Sequence, residues 1–347
     1  MQCFSSSLPS FPIRWPKEYR RLAETLEAPN PLFALGAADP SEEGPDAEAL
    51  GDPTGERRLR PLPFLLRKHP DRALVLASRR CFLYCRFCFR RGELTGAAQP
   101  GPRDWQRIGR WLSEHPEVEE LIVSGGDPLT LPDARLRQIA LLVGSLPGLA
   151  RWRIHTRAPA VFPERVSSSL LETLRTPQPL RVVVHAAHPA ELRPAFWGAV
   201  GRLRDAGCEV LDQTVLLSGV NASPEILGEL FARLAAEGVR PHYLHHPDRA
   251  QGNRRFRVTI EEGLRLYRSL LERSPAVTQG GATPPYVLDL PNGAGKARVE
   301  DLRPVAEERG TAGRRVRYRW TRPPGWTSVV PESYYEWWDV RESNSEL

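Results

Sequence analysis

An α/β fold, an open partial barrel of six βα units, is what this 347-residue sequence predicts. Three observations predict it. Apolar, strand-like runs recur at roughly 30-residue spacing. An amphipathic stretch of helical period lies between each run and the next. The chemically distinctive motifs follow the ends of the strand-like runs rather than sitting inside helical stretches.

In chain order, residues 1–60 are rich in Pro, Glu, Asp and Ala. Weak helical stretches near 16–27 and 46–50 make them a helical or irregular lead-in that covers the barrel. The barrel is expected over 61–280. Its strands fall near 72–77 (RALVLA), 119–124 (EELIVS), 150–155 (ARWRIH), 180–185 (LRVVVH), 209–217 (EVLDQTVLL) and 239–244 (VRPHYL). Its helices fall near 104–114, 132–146, 164–174, 190–206, 224–237 and 260–273. Strands alternating with helices imply parallel pairing. Six units are too few for a full eight-fold barrel, and the site of such a sheet lies at the C-terminal ends of its strands. Residues 281–347 form a small C-terminal extension: a glycine-rich turn with a lysine, a basic helical stretch, a hairpin over RRVRYRWTRPPGWTSVV, and an aromatic then polar end.

Composition narrows the function. Hydrophobic residues make up 41% of the chain, enough for a sizeable core. No run approaches the ~20 apolar residues of a membrane span, so no membrane association is expected. The opening MQCFSSSLPSFPIRW lacks a charged region followed by an apolar run, which points to the cytoplasm rather than secretion. The net charge of +6 is spread along the chain, with one cluster at Arg314, Arg315, Arg317 and Arg319. It reads as a solvated surface with sites for anionic cofactors, not as a nucleic-acid interface.

Cys81, Cys85 and Cys88 form the run CFLYCRFCFRR, with spacing C-x3-C-x2-C just past the first barrel strand. Zinc sites usually need a fourth ligand in paired spacing, and only the isolated Cys3 and Cys208 remain. Soft thiolates suit an iron–sulfur cluster, and three of them leave one iron of a [4Fe-4S] cluster free for a small molecule. The spacing resembles the signature of radical S-adenosylmethionine (SAM) enzymes, in which SAM takes that iron.

Lysine usage is equally pointed. The chain has 48 Lys and Arg together, yet only Lys17, Lys68 and Lys296 are lysines. Where charge suffices, the chain uses arginine, and arginine cannot form a Schiff base. Lys296 lies in PYVLDLPNGAGKARVE, directly after a strand-like run and inside a glycine-rich turn. Such a turn lets backbone N–H groups approach a phosphate. This setting suits pyridoxal phosphate (PLP), and also suits a plain surface turn.

The landmarks HPDRALVL, CFLYCRFCFRR, VSGGDPL, RIHTRAPAVFPERV, DAGCEVLDQTVLLSGVN, VRPHYLHHPDRAQGNRRFRV and YVLDLPNGAGK follow one another over residues 60–300. Their order resembles the lysine 2,3-aminomutase family, radical SAM enzymes that also use PLP. The resemblance implies a partial (β/α)6 radical SAM barrel and an isomerase that moves the α-amino group of L-lysine to the β-carbon. It implies cluster ligation by Cys81, Cys85 and Cys88, and SAM contacts from Ser124, Gly125, Gly126, Asp127 and Gln213. His185 falls at a strand end, a position that suits a cofactor-binding residue and equally a neutral structural histidine. Lys296 would carry PLP, with Lys68 and Arg72 as further cationic contacts to it. Arg90 would take the substrate carboxylate, where a bidentate guanidinium is apt. Asp248 and Asp289 would hold the ε-ammonium, which needs paired negative charge when desolvated. An external one-electron donor such as a flavodoxin or ferredoxin is implied, and a homo-oligomer is compatible. The family has a branch that makes β-lysine for modifying elongation factor P and a branch that acts on free lysine; the segments here resemble both. No cysteine follows Cys208, so the C-terminal zinc site of some members is missing.

Overall fold

The computed structural model describes residues 11–94, 98–273, 282–310, 313–321 and 334–341. Nine strands form one sheet in sequence order: β1 Leu65–His69, β2 Arg72–Ser78, β3 Glu120–Gly125, β4 Arg151–Thr156, β5 Leu180–Val184, β6 Glu209–Val215, β7 Arg240–His245, β8 Tyr286–Asp289 and β9 Lys296–Arg298. Strands β2 to β8 pair in parallel, and the outermost pairs β1·β2 and β8·β9 are antiparallel. The six expected strands are β2 to β7. The edge strand β1 and the continuation through β8 and β9 carry the sheet past residue 280, as far as Arg298.

Helices fill the crossovers: α1 Lys17–Glu24 and α2 Pro31–Gly36 in the lead-in, then α3 Arg91–Leu94, α4 Pro102–Glu114, α5 Asp133–Gly144, α6 Ala158–Val161, α7 Ser168–Thr173, α8 Pro194–Asp205, α9 Pro224–Ala236 and α10 Ile260–Arg273. Their starts are written locally. In α9 the Ser223 hydroxyl accepts from the Glu225 and Ile226 N–H groups, and Pro224 supplies a preset first residue. Leu227, Leu230, Phe231 and Leu234 then recur at helical period and are buried.

Strand alternation divides the sheet into two faces. Ala73, Val75, Leu121, Val123, Trp152, Ile154, Val182 and Val184 pack with the helices in one apolar core. The alternate residues, among them Arg72, Glu120, Arg153, His155, Gln213, His245 and Asp289, face the other side, the lumen of the open barrel. A closed barrel would fill that space with apolar layers; here it carries charge.

Two readings of the terminal regions are corrected. Residues 46–50 are no helix: Asp46 to Ala49 turn, and Leu50 bridges to Ala250. The basic stretch after Lys296 is also not helical. After a 3-10 turn at Val299–Asp301, β10 Arg303–Gly310 pairs antiparallel with β11 Gly313–Thr321, which pairs with β12 Tyr334–Arg341. Its Glu and Arg content favours helix, but cross-strand pairing outweighs so weak a preference. The first arm of the expected hairpin is β11, which pairs antiparallel with β10 before it and with β12 after it, downstream of the predicted second arm. Residues 322–330, its predicted second arm, lie outside the described residues. Among the described residues no helix is long and apolar enough to cross a membrane.

Candidate active site

The cysteine loop leaves the C-terminal end of β2 and is gripped by the lead-in. Glu42 accepts from Arg86 Nε at 2.9 Å and from Arg91 Nη2 at 2.6 Å. Arg86 also donates to the Pro12 carbonyl at 2.9 Å. Arg90 is held the same way by Glu56, through Nη2 at 2.6 Å and Nε at 2.9 Å. Each of these loop arginines therefore meets an acid from residues 40–60. Glu42 and Arg86 are buried, so removing one partner strands a charge. Glu42→Ala is expected to cost about 3–5 kcal/mol of stability, read as a lower urea midpoint; an unchanged midpoint would disprove the clamp.

Cys81, Cys85 and Cys88 all lie on this loop, partly buried and in no disulfide. Burial raises the Cys85 thiol above its ordinary value against the Arg157 guanidinium beside it, and pushes Cys88 up to about 12. Thiols so placed stay protonated until a metal offsets the charge. Among the described residues, no three His, Cys, Asp or Glu side chains converge on one point that a single ion could occupy. A cluster asks for a different arrangement, since each thiolate takes its own iron, and the soft donor set fits it.

The glycines at the end of β3 serve close packing. A Cβ at Gly125, where φ is +116°, would meet the Ser78 carbonyl at 2.4 Å, and one at Gly126 would meet the Arg80 carbonyl at 2.4 Å. The Gly126 and Asp127 N–H groups donate to those same carbonyls. Asp127 caps the turn at Leu129 and accepts from Thr156 Oγ1 at 2.8 Å and from the Arg157 N–H at 2.9 Å. Its carboxylate joins the loops after β3 and β4, so the rim it shapes, more than its own oxygens, faces the lumen. Ser124 Oγ lies 3.4 Å from Arg90 Nη1.

Across the lumen, antiparallel register sets Lys296 opposite Asp289. Lys296 Nζ is 3.0 Å from both Asp289 oxygens, and His245 Nδ1 is 3.5 Å from Asp289 Oδ2. Burial would raise the Asp289 carboxyl, but Lys296, His245 and Lys68 hold it well below the usual range. Asp248 goes the other way, pushed up to about 8 by burial and by the Asp289 carboxylate. Lys68 Nζ is 3.5 Å from Glu56, whose carboxyl falls to about 2 because Arg90 and Lys68 outweigh burial. One mouth thus gathers Arg90, Lys68, Lys296, Asp248, Asp289 and Glu56.

His155 and His185 face each other with ring centroids 5.8 Å apart, and the buried Nε2 of each has no partner. Burial lowers both, His185 to about 3 with help from His245, so both imidazoles are neutral. Two orphaned ring nitrogens in a charged lumen suit a polar ligand. Gln213 is buried on β6. Arg72 begins β2, at the opposite end of the strand from the cysteine loop, and pairs with Asp71 at 2.8 Å; it faces the lumen within electrostatic range of Tyr243, whose ring lies 5.9 Å from Lys296 Nζ.

Glu56, Glu42, Arg157 and His155 escaped the sequence reading. Arg157 and His155 could have been found by the strand-end rule, since both close β4. Glu56 and Glu42 carry no local signal.

A half-barrel of βα units with a three-cysteine loop after its first parallel strand defines an α/β barrel of the radical SAM type. Curated relatives give the particular family. An L-lysine 2,3-aminomutase of Haemophilus influenzae is 34% identical over 262 residues, 75% of this chain and 77% of that protein. One of Methanococcus maripaludis is 31% identical over 271 residues, 78% of this chain. The chain belongs to the L-lysine 2,3-aminomutase family. It spans 62% of the length of the Methanococcus relative. No family model matches the chain. Among solved structures, native anSMEcpe with bound AdoMet aligns at TM-score 0.46 and 11% identity over 61% of this chain and 62% of that one, too distant a likeness to add weight.

Proposed function

We propose that this chain moves the α-amino group of L-lysine to its β-carbon, giving β-lysine, as a radical SAM enzyme that also uses PLP. The carrying observation is the charge layout of the mouth: Arg90 beside the cysteine loop, and the Asp248 and Asp289 carboxyls beside Lys296. A carboxylate at one end of the substrate and an ammonium at the other match that layout. The names of the curated relatives support it.

When bound, the reduced cluster supplies the electron that splits SAM, and PLP supplies the π-system that carries the migrating nitrogen. Arg90 keeps Nη1 free of its Glu56 fork, so it can take the substrate carboxylate while staying aimed. Lys296 would be the residue to hold PLP, and Asp289, its partner at 3.0 Å, would then be free to meet the ε-ammonium. Asp248, neutral at pH 7, gives up its proton when that ammonium arrives, so the pair meets a cation with full charge only when one is present. Lys68 adds positive charge for an anionic cofactor. Leu76, Val183 and Leu211 are buried on the lumen side and would add an apolar, water-excluding floor to the site. A glutamate side chain would face Asp248 and Asp289 with like charge, which disfavours it. We place the reaction in the cytoplasm, with an external one-electron donor.

The test is an anaerobic assay of the reconstituted protein with SAM, PLP, dithionite and L-lysine. β-Lysine is expected with the intact protein and not with Cys85→Ala. No β-lysine from protein with a full cluster and bound PLP would sink the lysine assignment; turnover of arginine or ornithine instead would leave the amino shift standing and change only the substrate.

A further inference from the structure

We infer that Arg157 sets the reduction potential of the cluster held by Cys81, Cys85 and Cys88, and that Glu191 opposes it, the two forming a balanced control on one cluster ligand. The inference rests on the cluster reading and not on the amino shift.

Arg157 is the first residue past β4, which puts it at the rim beside the cysteine loop. Its Nη1 donates to Cys85 Sγ at 3.1 Å. Its Nη2 donates to Glu191 Oε1 at 2.6 Å. Glu191 is fully buried and is itself fixed by the Tyr19 hydroxyl at 2.6 Å and the Ala187 N–H at 2.7 Å. The Arg157 N–H is tied to Asp127, and its guanidinium lies 5.7 Å from the Phe87 ring. The side chain is therefore held at both ends, with one nitrogen on sulfur and the other on a carboxylate.

Reduction adds one electron from a low-potential donor and makes the cluster more negative by one charge; no bond to Arg157 forms or breaks. Hydrogen bonds to cluster sulfurs and nearby charge are the protein's levers on such potentials. A buried cation donating to a ligand sulfur stabilises the reduced state. An acidic side chain on the far side of the same guanidinium takes back part of that stabilisation, while keeping the cation from standing buried and unpaired. The two residues must therefore act with opposite signs, which simple support of the loop would not produce.

The experiment is a redox titration of the reconstituted full-length protein, followed by the EPR signal of the reduced cluster, without SAM, PLP or lysine. Arg157→Gln is expected to lower the midpoint, so that the oxidised-to-reduced ratio at the wild-type midpoint rises at least tenfold, which is 59 mV for one electron. Glu191→Gln is expected to move it upward, and Arg157→Lys, which keeps the charge, to fall between Arg157→Gln and wild type. Shifts of the same sign in Arg157→Gln and Glu191→Gln would overturn the proposal, as would an unmoved midpoint. So would a folded Arg157→Gln that takes up no cluster, since Arg157 would then only support the loop. If Glu191→Gln does not fold, equal midpoints for Arg157→Gln and Arg157→Lys overturn it and an ordered series upholds it. A wild-type protein that binds no four-iron cluster would overturn the reading beneath the proposal, a result distinct from a normal cluster with an unmoved potential.

Discussion

Lysine turnover is expected to fall by at least about 10³-fold when Lys296 becomes arginine, while the fold survives. Lys296 Nζ meets both Asp289 oxygens at 3.0 Å, the geometry of a cation facing a carboxylate edge, and an arginine fork can reproduce it. What arginine cannot reproduce is a primary amine that forms a Schiff base. Lys296→Ala removes both. Asp289 then keeps the 3.5 Å contact to His245 and the more distant charges of Lys68 and Arg90, so the alanine variant should also lose stability, about 1–3 kcal/mol. Three measurements separate the effects: β-lysine formation, PLP absorbance with borohydride trapping at a single peptide, and the urea midpoint. Activity retained by the arginine variant, or PLP trapped at Lys68 instead, would remove Lys296 from its proposed role.

Asp248→Asn is expected to do the reverse, raising the stability of the cofactor-free protein at alkaline pH while weakening lysine turnover. In the folded protein the Asp248 carboxyl titrates near 8, well above an ordinary aspartate, because it is buried beside Asp289. A raised folded value means that this group's stabilising contribution is present below its unfolded value, near pH 4, and is lost as pH rises through 8. Wild type thus gives up stability over that window, and asparagine, which cannot ionise, does not. The gain should be small near pH 4 and approach roughly 5 kcal/mol at pH 8.5, since a carboxyl moved from about 4 to about 8 is worth about 1.4 kcal/mol per pH unit. Turnover should suffer because an ammonium gains far less from an amide than from a carboxylate. Thermal unfolding of both proteins at pH 4.5 and 8.5 checks the first half. An equal difference at both values would show that Asp248 does not titrate in this window. A KM for lysine that stays put would remove it from the ammonium site.

Which parts of this were legible in the chain follows from the range of the forces involved. The strands β2 to β7 fall close to where their apolar runs begin and end, because alternation against a helix layer is a local property of five to seven residues. The helix α9 is equally explicit, with Ser223, Pro224 and a run of apolar positions at helical period. Residues 46–50 and 303–310 misled for the same reason in reverse. Their polar, helix-compatible composition has no strong period, and the bridge from Leu50 to Ala250 and the pairing of β10 with β11 are decided by distant or neighbouring backbone. β1 is short, with an irregular register against β2, and announces itself only as an edge.

The sequence by itself determined the barrel, its three-cysteine loop and the rarity that singled out Lys296, because periodicity, spacing and residue counts survive without coordinates. Tertiary structure alone decided who meets whom. Arg90 and Glu56 are 34 residues apart, Arg86 and Glu42 are 44 apart, and Arg157 and Cys85 are 72 apart. It also decided that Asp127 would be spent on joining two loops while Asp248 stayed protonated beside Asp289. A charge settles on its nearest opposite in a desolvated space, and which groups become nearest is fixed by how the lead-in packs over the mouth of the sheet, a long-range outcome with no local signature in the chain.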